Sequence, residues 1–197
     1  MLFRSYIDTQ GQEVARRSLD FKANPTIPLY KLDVPGLGYS EGITGLQAQV
    51  QTFKVDQGKE ERKAVTPDEG LVAADAGFNN LMLAQFAALK AGQAVRFSLI
   101  VPGKGQAFRF RAKKIGEATV AGEAGIKLLV EPDSMLRWLV APIELVYDVQ
   151  GTRLMRYTGV SNLLNPETRE VYRKVVITYS NGPVPSEAKL PAALLTP

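Results

Sequence analysis

The chain has 197 residues, 45% of them hydrophobic, with 24 basic against 20 acidic side chains and a net charge of +4. Those are the values of one globular domain that can build its core without metal or disulfide support. Cysteine and histidine are both absent, which excludes thiol nucleophiles, the usual zinc sites, Ser-His-Asp triads and histidine general bases.

Period-2 alternation of apolar and polar residues dominates, and turns of one kind punctuate it. "DTQGQ" from Asp8, "DQGK" from Asp56 and "DVQGT" from Asp148 each set an Asp and a Gly between strand-like runs. Asp supplies local side-chain hydrogen bonds and Gly supplies positive φ, so three antiparallel hairpins are expected. The first joins "LFRSYID" to "EVARRSLDF", with Ala15, Leu19 and Phe21 on one face and Arg16, Ser18 and Asp20 on the other. A strand pattern that begins at Leu2 leaves no room for the basic start and apolar stretch of a signal peptide. As it stands, the chain reads as leaderless, or as a mature region whose leader has been replaced by Met1. "VPGLGYSEGITG" reads as a loop. The second hairpin joins "GLQAQVQTFKV" to "ERKAV", and its apolar parity changes between Val50 and Phe53. A bulge near Gln51 or Thr52 would restore both sets to one face.

One strong helix follows, "GFNNLMLAQFAALKAG". Phe78, Leu81, Met82, Phe86 and Leu89 form a single stripe at the helical period, with Asp75 as the expected N-cap and Gly92 as the C-cap. Such a stripe needs a sheet face to cover. Strands "AVRFSLIV", "AFRFRAKKI" and "GIKLLVEP" come next. "DSMLRWLV" reads as a short second helix, capped by Asp133 or Ser134 and stopped by Pro142. The third hairpin joins "IELVYDV" to "TRLMRYTGV", with Ile143, Leu145, Tyr147 and Val149 alternating inward. "SNLLNPET" is a loop, "EVYRKVVITYS" the last strand, and residues 181–197 an irregular tail. There is no repeat of solenoid length, and no run of about 18 apolar residues that would cross a membrane as a helix.

Little in this pattern is a chemical site. The glycines of "VPGLGYSEG" lack the helix that a phosphate-cradling loop requires, and "GKGQ" lacks the spacing of a Walker motif. Phe108, Phe110 and Ala112 alternate with Arg109, Arg111 and Lys113. That gives a core face and a solvated basic face suited to weak, salt-sensitive contact with anionic lipid or nucleic acid, not to specific nucleic-acid recognition. Carboxylates fall in turns or alternate with Lys and Arg, and no pair is singled out for acid-base work. The remaining candidate is the patch around the only tryptophan. Met135, Leu136, Trp138 and Leu139 either close one end of the core or form an adaptable lip over an apolar ligand, with Arg137 at its polar rim. The candidate ligand contacts are therefore Met135, Arg137, Trp138 and Leu139, joined by Met82 and Phe86 from the helix stripe.

The blocks "LDFKANPTIPLYKL", "DAGFNNLML", "RFSLIVPGKGQAFRFRAKKI" and "VEPDSMLRWLVAPIELVYDVQGTRLMRYTGVSN" resemble a family of uncharacterised exported proteins of Gram-negative bacteria, over roughly Arg4 to Tyr179. That resemblance implies a periplasmic location. A cytoplasmic one is the alternative, and the absence of cysteine is compatible with both. In architecture the pattern is distantly similar to the half-barrels of lipoprotein carriers, in which a sheet wraps around helices and an apolar cavity holds lipid.

The expected fold is mainly β with one main helix (α+β): a curved antiparallel sheet or half-barrel wrapped around that helix, as a single domain over residues 1–180. The expected function is that of a non-enzymatic cell-envelope protein, without cofactor or metal, that binds a lipid-like or apolar ligand between sheet and helix. The alternative is a protein-interaction or scaffold module of the envelope.

Overall fold

The computed structural model describes residues 1–133 and 141–180. The expected helix around Trp138 and the C-terminal tail lie outside the described residues. The chain is mainly β with one main helical segment, as its pattern predicts. Its strands divide between two sheets, and neither sheet closes into a barrel.

The first sheet takes its strands in chain order, all antiparallel: β1 (Leu2–Ile7), β2 (Glu13–Asp20), β3 (Leu29–Val34), β4 (Tyr39–Leu46), β5 (Val50–Asp56) and β6 (Lys59–Val65). A short strand β7 (Val72–Ala74) then leads into helices α1 (Gly77–Ala84) and α2 (Phe86–Lys90), which return the chain to β8 (Val95–Val101) beside β7 in parallel. From there β9 (Gln106–Val120), β10 (Glu123–Pro132), β11 (Ile143–Asp148), β12 (Leu154–Gly159) and β13 (Val175–Thr178) extend the second sheet antiparallel and again in chain order.

The helical stripe does what its period requires. Leu81, Met82, Phe86 and Leu89 are buried against Phe97, Ile126, Leu128, Val130, Leu145 and Tyr147 of the second sheet, each such side chain contributing about 1.5–3 kcal/mol of transfer free energy. Gln85 interrupts the helix geometry with φ −100° and ψ 6°, and Gly92 closes it at φ +87°, where only glycine is unstrained. Asp75 is not the N-cap. Helix α1 starts at Gly77 without a side-chain cap, and Asp75, at φ +43°, sends its carboxylate to Arg17 of β2.

Three further expectations are corrected. "VPGLGYSEGITG" is not a loop throughout: Tyr39–Leu46 is a central strand. Its Gly42 is required there, because a Cβ would stand 2.0 Å from the Tyr30 carbonyl oxygen and 2.7 Å from the Phe53 ring. The second hairpin closes at Gln57 and Gly58, both at positive φ, but "GLQAQV" is not its first strand, since the chain turns between β4 and β5. The bulge lies in β4 between Ile43 and Gly45, whereas β5 pairs with β6 without interruption, so Phe53 truly faces away from Thr52.

The same pentapeptide pattern, Val-Pro-Gly-Xaa-Gly, links β3 to β4 and β8 to β9. Both copies form a 3-10 turn, η1 (Pro35–Leu37) and η2 (Pro102–Lys104), with Pro in its first position and a left-handed glycine after it, Gly38 at φ 56° and Gly105 at φ 58°. Turn η2 lies on β4 and β5, which joins the sheets. The sheets also meet where Ala74 of β7 and Ile100 of β8 enter the apolar cluster of Leu19, Leu32, Val34 and Ile43 on the first sheet's inner face.

Candidate functional site

Direct pairing across the first sheet sets which residues share its outer face. Phe3, Ser18, Lys31, Gly42, Phe53 and Arg62 stand in one row from edge to edge. With no side chain at Gly42, the Phe53 ring settles against the neighbouring strand and is almost wholly covered. Around it, Leu29, Val55, Ser18, Ser40 and Thr44 line an open groove of about 460 Å³, a volume in the range of small-molecule sites. Its rim carries Lys31, Arg62 and Glu60. Lys31 pairs with Asp33 at 2.8 Å and Arg62 with Glu60 at 2.6 Å, so the rim has no large unbalanced charge. An apolar floor with neutralised ion pairs beside it suits an apolar ligand with a polar end.

The inner face of the same sheet holds a buried polar cluster. Arg17 of β2 points inward at the period-2 position between Ala15 and Leu19 and is only 8% exposed. Its guanidinium meets Asp75 Oδ1 at 3.0 Å and donates to Asn162 Oδ1 at 2.6 Å. The rings of Tyr6 and Tyr30 lie 5.5 and 5.7 Å from its central carbon, within cation–π reach. Asn162 in turn donates to the Tyr30 hydroxyl at 2.9 Å. Glu41, 5% exposed, accepts from Tyr30 and Tyr39, each at 2.7 Å. Gly103 of η2 packs directly on that carboxylate, so closely that a Cβ would be 2.0 Å from Glu41 Oε2.

The electrostatics fix which groups of this cluster donate. Burial raises Tyr30 and Tyr39, and the Glu41 charge raises both further, so the phenols stay protonated and donate. Burial also raises Asp75, offset in part by Arg17. Burial opposes the charge on Arg17, yet Asp75, Tyr6, Tyr30 and Glu41 together hold it above its ordinary value. Among the described residues Arg17 Nε and Asp75 Oδ2 have no hydrogen-bond partner, a cost of about 1–3 kcal/mol for each such buried atom.

Of the expected ligand contacts, Met82 and Phe86 fall among the described residues. Met82 and Phe86 lie in the core under the helices, where Phe86 packs on Tyr147 with ring centroids 5.7 Å apart and fills the space beside Gly151. Met135, Arg137, Trp138 and Leu139 lie outside the described residues. The basic face of β9 is solvated but matched: Arg109 pairs with Asp68, and Arg111 and Lys113 with Glu131. On its other face Phe110 packs on the core while Phe108 remains exposed. Sequence reasoning missed the groove, although its signal was present. The parity change between Val50 and Phe53 marks a strand that is apolar on both faces. No family model, curated protein or solved structure matches the chain.

Proposed function

We propose that this protein is a non-enzymatic binding protein of the cell envelope, and that its lipid-like or apolar ligand lies in the groove on the outer face of the first sheet. The observation that carries the reading is the groove itself: about 460 Å³ over Leu29, Phe53 and Val55, open to solvent and rimmed by paired charges. Under the helices, Met82 and Phe86 pack with Leu128 and Tyr147 in the core. The resemblance to exported proteins supports a periplasmic location, with the cytoplasm as the alternative.

Native mass spectrometry of gently purified protein, followed by titration with a fluorescent fatty acid, tests the reading. Wild type is expected to carry or take up an apolar molecule. Val55→Glu, which sets a charge in the groove, is expected to weaken uptake at least about tenfold without loss of fold. Absence of any bound or acquired ligand, or uptake indifferent to Val55→Glu, removes the proposal.

A second reading, an envelope interaction module, is favoured by the edge of β1, which no other strand pairs among the described residues and where Leu2 and Phe3 are 57% and 65% exposed. Crosslinking in cells separates the two, since an interaction module should give one stable complex and a ligand carrier only transient ones.

A further inference from the structure

Between β12 and β13 the chain leaves the second sheet, crosses to the first and returns. Residues 160–174 form a small hairpin of their own, held by Leu164 pairing with Val171 and by backbone bonds from Ser161 to Tyr172, from Tyr172 to Leu163 and from Asn165 to Glu170. It is tied to the first sheet at two polar points. Asn162 bridges Arg17 and Tyr30. Arg169 donates to the Leu37 carbonyl in η1 at 3.1 Å and pairs with Asp56 at 2.5 Å. Leu163 and Leu164 add partly buried apolar contact, and no residue of the segment is fully buried.

We propose that this segment is a strap that opens and closes as a unit while both sheets stay folded, and that its opening is the route by which solvent and solutes reach the buried Arg17 cluster. The groups it leaves behind are already provided for. Arg17 keeps Asp75, Tyr30 keeps Glu41 and Asp56 keeps Lys54, so opening leaves those groups paired and gives up the partly buried contacts of Leu163 and Leu164. An element with few buried contacts and its own internal hydrogen bonds is the kind that opens below global unfolding. The outer groove is built mainly from strand residues of the other parity, and Tyr30 borders both sites.

Native-state hydrogen exchange on the full chain tests it. The amides of Ser161, Asn165 and Tyr172 are expected to exchange at least about a hundredfold faster than those of β10 and β11, with a weaker dependence on denaturant. Asn162→Ala and Arg169→Ala should each speed the strap amides by about tenfold and leave β10 and β11 unchanged, and Arg169→Lys should restore part of the protection. Labelling of Arg17 by phenylglyoxal, followed by peptide mass spectrometry, should keep pace with strap exchange in wild type and in both variants. Strap amides as protected as β10 and β11 in the wild-type protein would overturn the strap. Arg17 labelled only on global unfolding, while the strap exchanges fast, would overturn its role as the route.

Discussion

Beneath α1 and α2 the second sheet is sealed by apolar contact. Leu128, Val130, Leu145 and Tyr147 are wholly inaccessible, and the Tyr147 hydroxyl reaches out to Asn79 at 2.9 Å. The inner face of the first sheet instead sets Arg17 and Glu41 among Leu19, Leu32 and Ile43, with Arg17 Nε and Asp75 Oδ2 orphaned among the described residues as part of its cost. Apolar contact is non-directional, so a helix on a sheet can slide by small steps with modest loss. A guanidinium shared by an aspartate, an asparagine and two rings meets all of them in one placement. The comparison teaches a division of labour: the dry seam supplies stability, and the polar seam specifies how the two sheets meet.

The largest test of that division is Arg17→Met, which leaves Asp75 buried without its cation. It should lower the unfolding free energy by about 3–5 kcal/mol in urea titrations, and Arg17→Met with Asp75→Asn should regain much of the loss. Equal losses in the single and double variants would show that the pair itself, not the stranded charge, is what matters. In the dry seam, Leu128→Ala should cost about 2–5 kcal/mol. Because it shares no partner with Arg17, its effect should add to that of Arg17→Met. Strong coupling between them would break the division. Gly103→Ala, whose methyl must displace the Glu41 carboxylate, should cost about 1–3 kcal/mol, and Gly36→Ala in the matching turn, with open space around it, should cost almost nothing.

The smallest effect is a difference in sign with pH. Burial raises Asp75 above its ordinary 3.8, so its contribution is complete below that value and is lost as pH rises through its folded pKa. Glu131 is lowered from 4.5 by its bonds to Arg111 and Lys113, so its contribution is complete above that value and is lost as pH falls through its folded pKa. Melting temperatures from about pH 3 to 7 should therefore shift in opposite senses in Asp75→Asn and Glu131→Gln. Parallel shifts would refute the buried assignment of Asp75.

Much of the dry seam was legible, because periodicity reports burial against one partner. The helix stripe and the inward residues Ile143, Leu145 and Tyr147 fall where their spacing puts them. The polar seam was legible only in part. Arg17 stands on the inward parity of β2, but a charged residue in alternation reads as solvated until its partner is known, and Asn162 lies 145 positions away. Asp75 looked like a cap because caps and buried partners draw on the same residue type near a helix start. Strand β4 was obscured by glycines that usually signal turns, although Gly42 is there to admit Phe53. Strand β7 is three residues long, too short to display any period.

Chain-order topology also bears on synthesis. All strands of the first sheet precede β7 and β8, whose Ala74 and Ile100 cover its inner face, and Asn162 follows later still. A chain emerging from the ribosome can thus zip the first sheet from local hairpins well before its cover exists. During that interval Leu32 and Ile43 face water, and the nascent half-protein is at its most vulnerable to wrong partners. Arg17 and Glu41, planted on the same face, keep that temporary surface from being uniformly greasy.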